Sequence, residues 1–145
     1  MNATHPQERR AAREAALQML YQCEVGRAEA SASIATYWAS RDEGAHVPES
    51  AREFANRIVR GTLDRQGEID RLLSAHAQNW RIERMTVIDR IVLRMAVYEM
   101  LAETQTPSKV IINEAIELAR SFSGDEAVGF VNGVLDAIRK ELRRS

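Results

Sequence analysis

One cysteine, Cys23, stands in 145 residues, which excludes an intramolecular disulfide and any zinc site built from several thiolates. Proline and glycine are also scarce, three and seven, and most of them punctuate helical patterns rather than form a loop-rich chain. No stretch approaches the ~20 uninterrupted apolar residues that a membrane helix needs. The opening Met1–Arg10 has no apolar run of the signal-peptide kind. Lysine is almost missing: the 20 basic residues are 18 arginines and only Lys109 and Lys140. What is present is ordinary for a globular chain, 45% hydrophobic and 28% charged, so disorder and fibrous repeats are not expected. The expectation is one soluble, cytoplasmic domain over residues 1–145.

The usual catalytic signatures are missing as well. His5, His46 and His76 fall in a tail, a loop and a helix end, and none belongs to a short metal-ligand spacing. Gly124, Gly129 and Gly133 set a Gly-x4-Gly spacing, but Phe130 follows where a phosphate-binding loop has lysine. No Gly-x-Ser-x-Gly holds a nucleophile. Glu114 and Glu117 lie one helical turn apart, but the Glu-x-x-His motifs of a di-metal bundle do not accompany them. They read instead as an acidic turn near a helix start. Cys23, on an apolar helix face, reads as a small core residue. Neither a catalytic residue nor a cofactor is expected, so binding surface is what remains.

The net charge of −1 conceals an uneven distribution. Residues 1–13 carry +2, with Arg9, Arg10 and Arg13 against Glu8. Residues 139–145 carry +3 and residues 99–126 carry −4. Arginine suits phosphate because its planar fork donates two parallel hydrogen bonds and does not deprotonate. The plainer reading is that charged helix ends are merely solvated; the alternative is that the two basic ends meet in one patch. Tyr21, further along the first helix, suits either a core edge or the stacking of an unpaired base.

Periodicity predicts helices throughout and no hairpin-bounded strand, so the fold class is all-α. Thr4-x-x-Gln7 has the form of a capping box before an amphipathic helix of Ala12, Ala15, Ala16, Met19, Leu20 and Cys23 that ends near Gly26. Ile34, Tyr37 and Trp38 mark a second helix, and residues 42–48 a surface loop. Ser50-x-x-Glu53 is a second capping box, before Phe54, Ile58, Val59 and Leu63, with an interruption at Gly67 and a short helix carrying Ile69, Leu72 and Leu73. Thr86-x-x-Asp89 opens residues 87–101, apolar almost all round, as a central helix packed on several neighbours reads. Pro107-Ser108 opens the next helix, with Val110, Ile112, Ala115, Ile116 and Ala119 inward and Ser123-Gly124 at its end. Phe130, Val131, Val134, Leu135, Ile138 and Leu142 mark the last helix.

Four segments carry a family resemblance. Residues 9–21 (RRAAREAALQMLY), 88–99 (IDRIVLRMAVYE), 107–122 (PSKVIINEAIELARSF) and 130–136 (FVNGVLD) resemble, in order, the signature segments of the bacterial antitermination factor family NusB. Residues 27–80 match it only in helical pattern. The resemblance implies a compact fold of about seven helices in two packed bundles. It implies binding, with the small-subunit ribosomal protein NusE, of the single-stranded boxA element of nascent ribosomal RNA transcripts. That pair joins the RNA polymerase antitermination complex and suppresses termination. A NusB-like scaffold, or an rRNA-positioning module without antitermination activity, is the alternative. The family includes monomers and homodimers, and both stay open.

Carried over residue by residue, the resemblance assigns Arg9, Arg10 and Arg13 to phosphate contacts and Tyr21 to the aromatic position ending that motif. Lys109 is assigned to a phosphate at a helix start, where amides and dipole favour anions. Phe122, Glu126 and Phe130 surround the Ser-Gly loop bordering the RNA surface, although both phenylalanines also suit hydrophobic clasps between helices. Glu83 and Asp89 are assigned to NusE, with N-terminal capping as the competing role for Asp89. Asn113, Asn132 and Gly133 belong to the signature but read as structural. Gly133 suggests close approach of another helix, and the two asparagines suggest partners for buried backbone groups.

Overall fold

The computed structural model describes residues 6–41, 47–77 and 85–144. These contain seven α-helices: α1 (Pro6–Val25), α2 (Ala30–Arg41), α3 (Glu49–Asp64), α4 (Gln66–His76), α5 (Val87–Ala102), α6 (Ser108–Phe122) and α7 (Val128–Glu141). A short 3-10 turn, Asp125–Ala127, precedes α7. No strand occurs among the described residues, so the all-α expectation holds. The chain divides into two compact units, residues 1–60 and 61–145.

In the first unit α1 buries Ala12, Ala15, Ala16, Leu17, Met19 and Leu20, the three- and four-residue spacing that makes one apolar stripe. α2 packs against α1, and Ser33 Oγ of α2 donates to the Met19 carbonyl at 2.9 Å. Phe54, Ala55, Ile58 and Val59 of α3 are all fully buried. The α3 start departs from expectation. Ser50 is not its cap, because the Pro48 carbonyl already accepts from the amides of Ala51 and Arg52 at 3.0 and 3.1 Å and Glu49 begins the helix. Thr4 of the other proposed capping box lies outside the described residues. Cys23 is half-buried rather than fully in the core.

The second unit is built on α5, where every residue from Ile91 to Met100 is buried. It packs against α4, α6 and α7, which is why its sequence shows no polar face. Thr86 caps it, its hydroxyl accepting from the Asp89 amide at 3.1 Å. Arg94, a charged residue inside this run, is paired. Arg94 donates to both carboxylate oxygens of Asp70 on α4, at 2.8 and 3.0 Å. His76 at the end of α4 meets Glu141 at the end of α7. The α3–α4 break falls at Arg65, two residues before the expected Gly67, which lies in the first turn of α4.

Gly61, in the last turn of α3, faces the Tyr98 ring so closely that a Cβ there would sit 2.0 Å from Cε1. Gly133 does not have the role expected of it: space beside it is open, and Asn113 and Asn132 are exposed rather than buried between helices. The reason is register. The inner face of α6 is Ile111, Ile112, Ala115, Leu118 and Ala119, and that of α7 is Val131, Val134, Leu135 and Ile138. Asn113, Asn132 and Gly133 fall between these stripes. Val110 is displaced for the same cause, 41% exposed instead of inward.

The C-terminus closes as a Schellman motif. Arg143 adopts a left-handed φ of 58°, its amide donates to the Lys140 carbonyl at 3.1 Å, and the Arg144 amide donates to the Arg139 carbonyl at 3.0 Å. A residue with a Cβ pays for this conformation, whereas glycine adopts it readily. Arg143→Gly is therefore expected to stabilise the protein by about 1 kcal/mol, read from the chemical denaturation midpoint at unchanged slope.

Candidate nucleic-acid interface

Arg13 follows Arg9 by four positions, so both lie on one face of α1, and that face meets Phe54 of α3. The Arg9 guanidinium carbon lies 4.1 Å from the Phe54 ring centroid and that of Arg13 lies 5.2 Å away. Arg57, one turn beyond Phe54 on α3, adds a third at 5.4 Å. Each contact draws a cation to the negative ring face and is worth about 0.5–2 kcal/mol, more as water is excluded. Exposure is graded across the group. Phe54 is fully buried and Arg13 is 3% exposed, whereas Arg9 is half-buried and Arg57 is open to solvent. Arg10, one position round the helix, is exposed.

Tyr21 is 38% exposed and so is not a core residue. Eleven residues are three turns of helix, which puts Tyr21 on the same side of α1 as Arg10, about 16 Å along the axis. A second arginine–aromatic group was not legible as such in the sequence. Tyr37 and Trp38 meet edge to face at 5.0 Å, with Arg41 over the Tyr37 ring and Arg52 over the Trp38 ring. Trp38 is buried and its indole N–H donates to Asn56 Oδ1 at 2.9 Å, so its ring serves the α2–α3 contact.

The remaining candidates lie in the second unit. Lys109 is exposed in the first turn of α6, where backbone amides lack helical acceptors and favour an anion. At the other end of α6, Phe122 is 41% exposed and Gly124 turns the chain away with φ 118°, a conformation suited to glycine. Glu126 follows, exposed in the 3-10 turn beside Asp125, whose Oδ1 lies 3.4 Å from Arg120 Nε. A carboxylate repels phosphate, so Glu126 suits a donor on a base edge. Phe130, in the first turn of α7, is half-buried. The structure thus brings Phe122, Glu126 and Phe130 around one loop and leaves Lys109 at the opposite end of α6.

Asp89 is half-buried in the first turn of α5. Its amide serves the Thr86 cap, and its buried Oδ1 has no hydrogen-bond partner. The other acidic candidate, Glu83, lies outside the described residues. The basic C-terminus is largely occupied by structure. Arg144 donates to the Thr106 carbonyl at 2.9 Å, and Arg139 donates to Asp136 Oδ1 at 2.8 and 3.0 Å. Hydrogen bonds from Arg139, then Lys140, hold the Asp136 carboxyl below its ordinary range. The stabilisation this reflects is present at neutral pH and is lost as pH falls through that lowered value.

Glu117 pairs with Arg120 rather than with Glu114. No group of three His, Cys, Asp or Glu side chains fit to hold a metal occurs among the described residues. No helix among them is long and apolar enough to cross a membrane.

Comparison with known proteins agrees with this architecture. The profile of the NusB family matches residues 10–140. The chain is 44% identical over 134 residues to the transcription antitermination protein NusB of Koribacter versatilis, covering 92% of this chain and 90% of that protein. Among solved structures, NusB of T. maritima superposes with a TM-score of 0.81 at 36% identity, over 97% of this chain and 94% of that one. A crystal structure of the antitermination factors NusB and NusE in complex with double-stranded RNA contains a chain of the same fold. Its TM-score is 0.83 at 24% identity, with 93% of this chain and 98% of that one covered.

Proposed function

Because the chain belongs to the NusB family, we propose that it is an RNA-binding transcription antitermination factor and not an enzyme. In this reading it acts in the cytoplasm with NusE on the boxA element of nascent ribosomal RNA and helps RNA polymerase pass terminators. The observation that carries the reading is the arginine-rich start of α1, held on a fixed ring with Arg10 turned to solvent, in a chain similar to NusB over nearly its whole length. Arginine forks suit phosphates, and single-stranded RNA offers bases that stack and expose their edges. In this reading Arg9, Arg10, Arg13 and Lys109 supply positive charge, Tyr21, Phe122 and Phe130 supply ring surface, and Glu126 accepts from a base. Asp89 and Glu83 face the basic ribosomal protein. A protein of net charge −1 binds RNA weakly by itself, and a basic partner raises affinity because one strand then spans two sites.

Fluorescence anisotropy tests this with a boxA single strand, a scrambled strand and a duplex, each with and without NusE, at two salt concentrations. The expected result is a preference for the boxA strand that tightens with NusE and weakens with salt. Binding of NusE with no RNA preference points to the scaffold reading, and binding of neither removes the assignment.

A further inference from the structure

We propose that Phe54 and the three guanidiniums over it form one phosphate-binding platform, in which Arg57 of α3 contacts an RNA phosphodiester beside Arg9 while Arg13 is a positioning residue. The inference rests on the RNA-binding reading and adds a second helix to its surface.

Three like charges from two helices converge within 5.4 Å of a single ring centroid. The ring attracts each cation through its quadrupole and consumes no hydrogen-bond acceptor in doing so. A guanidinium has five N–H donors in a planar fork that suits phosphate, and each of these arginines also keeps an intrachain interaction.

Burial divides the labour. Arg13 is 3% exposed, so a phosphate in solvent does not reach it; its charge and bulk instead fix Phe54 and crowd the outer pair. Arg9 is half-buried and Arg57 exposed, and both are held near one ring before any ligand arrives. Side chains already immobilised lose less freedom on binding. The arrangement carries no base-reading group, so its contribution is the same for every sequence.

The test uses the full chain with NusE, titrated with the boxA and scrambled single strands across a salt series. Arg57→Gln is expected to weaken both strands equally, three- to tenfold, leaving their ratio unchanged. The slope of log affinity on log salt is expected to shrink by about 0.7, the loss of one single-strand phosphate contact. Arg13→Lys keeps the charge and is expected to weaken binding with no change in slope, as befits positioning. Phe54→Leu, compared below its own melting transition, is expected to weaken binding although every arginine remains. Because Arg57 is exposed, its variant keeps the fold and remains decisive if Phe54→Leu does not. Unchanged affinity and slope in Arg57→Gln overturn the proposal. If Arg10→Gln weakens RNA binding in the same series, only the platform falls; if the unaltered complex binds neither strand, the RNA-binding reading falls with it.

Discussion

Arg10→Glu is expected to lower affinity for the boxA strand at least tenfold while binding to NusE is unchanged. Arg10 is exposed on the side of α1 that also carries Tyr21, so reversal acts on the surface and not on the core. In the proposed interface the substitution removes one phosphate donor and places an anion in its stead, taking the net charge from −1 to −3. A single charge-assisted contact is worth about 1.5–3 kcal/mol, and 1.4 kcal/mol is a factor of ten. The effect is largest at low salt, because phosphate contacts act through counterion release. Anisotropy with labelled RNA, beside pull-down of NusE, separates the two activities. Equal RNA binding by both proteins takes Arg10 out of the interface.

Gly61→Ala is expected to destabilise the second unit by about 1–3 kcal/mol. In most helices the exchange helps, since alanine is favoured over glycine by about 1 kcal/mol. Here the new methyl lands 2.0 Å from Cε1 of Tyr98 and within 2.8 Å of two further ring carbons. The ring has nowhere to retreat. Tyr98 is 6% exposed in the middle of α5, and its hydroxyl donates to Glu103 Oε2 at 3.1 Å. Overpacking therefore outweighs propensity. A double-mutant cycle with Tyr98→Leu supplies the decisive comparison: the alanine costs less when the ring is absent. Equal cost in both backgrounds, measured by urea denaturation, shows that the contact is not the cause.

Legibility in the sequence followed the range of the interaction involved. The Thr86 cap, the Pro107-Ser108 start, the Ser123-Gly124 end and the apolar run of α5 are local signals, and each lies where its pattern placed it. The α3 start was misplaced because serine at position 50 looks like a cap only until the Pro48 carbonyl is seen to bind the first amides. The cost of a mid-helix glycine suggests a helix close to Gly133, with Asn113 and Asn132 serving buried backbone groups between helices, yet all three are exposed. Nothing in the packing of their own helices explains them. Arg57 was missed for the converse reason. Phe54 read as core, which it is, but that its ring faces arginines from α1 is a tertiary fact. The i, i+3 pairing of Phe54 with Arg57 was the one local hint.

The burial of every residue from Ile91 to Met100 has a consequence for how this protein opens. Local fraying frees amides that a few contacts protect, but those of α5 are covered by α4, α6 and α7 together. Hydrogen–deuterium exchange in the middle of α5 then requires the whole second unit to unfold. Those amides are the slowest clock in the unit, and their exchange rate reports its global free energy directly, without denaturant.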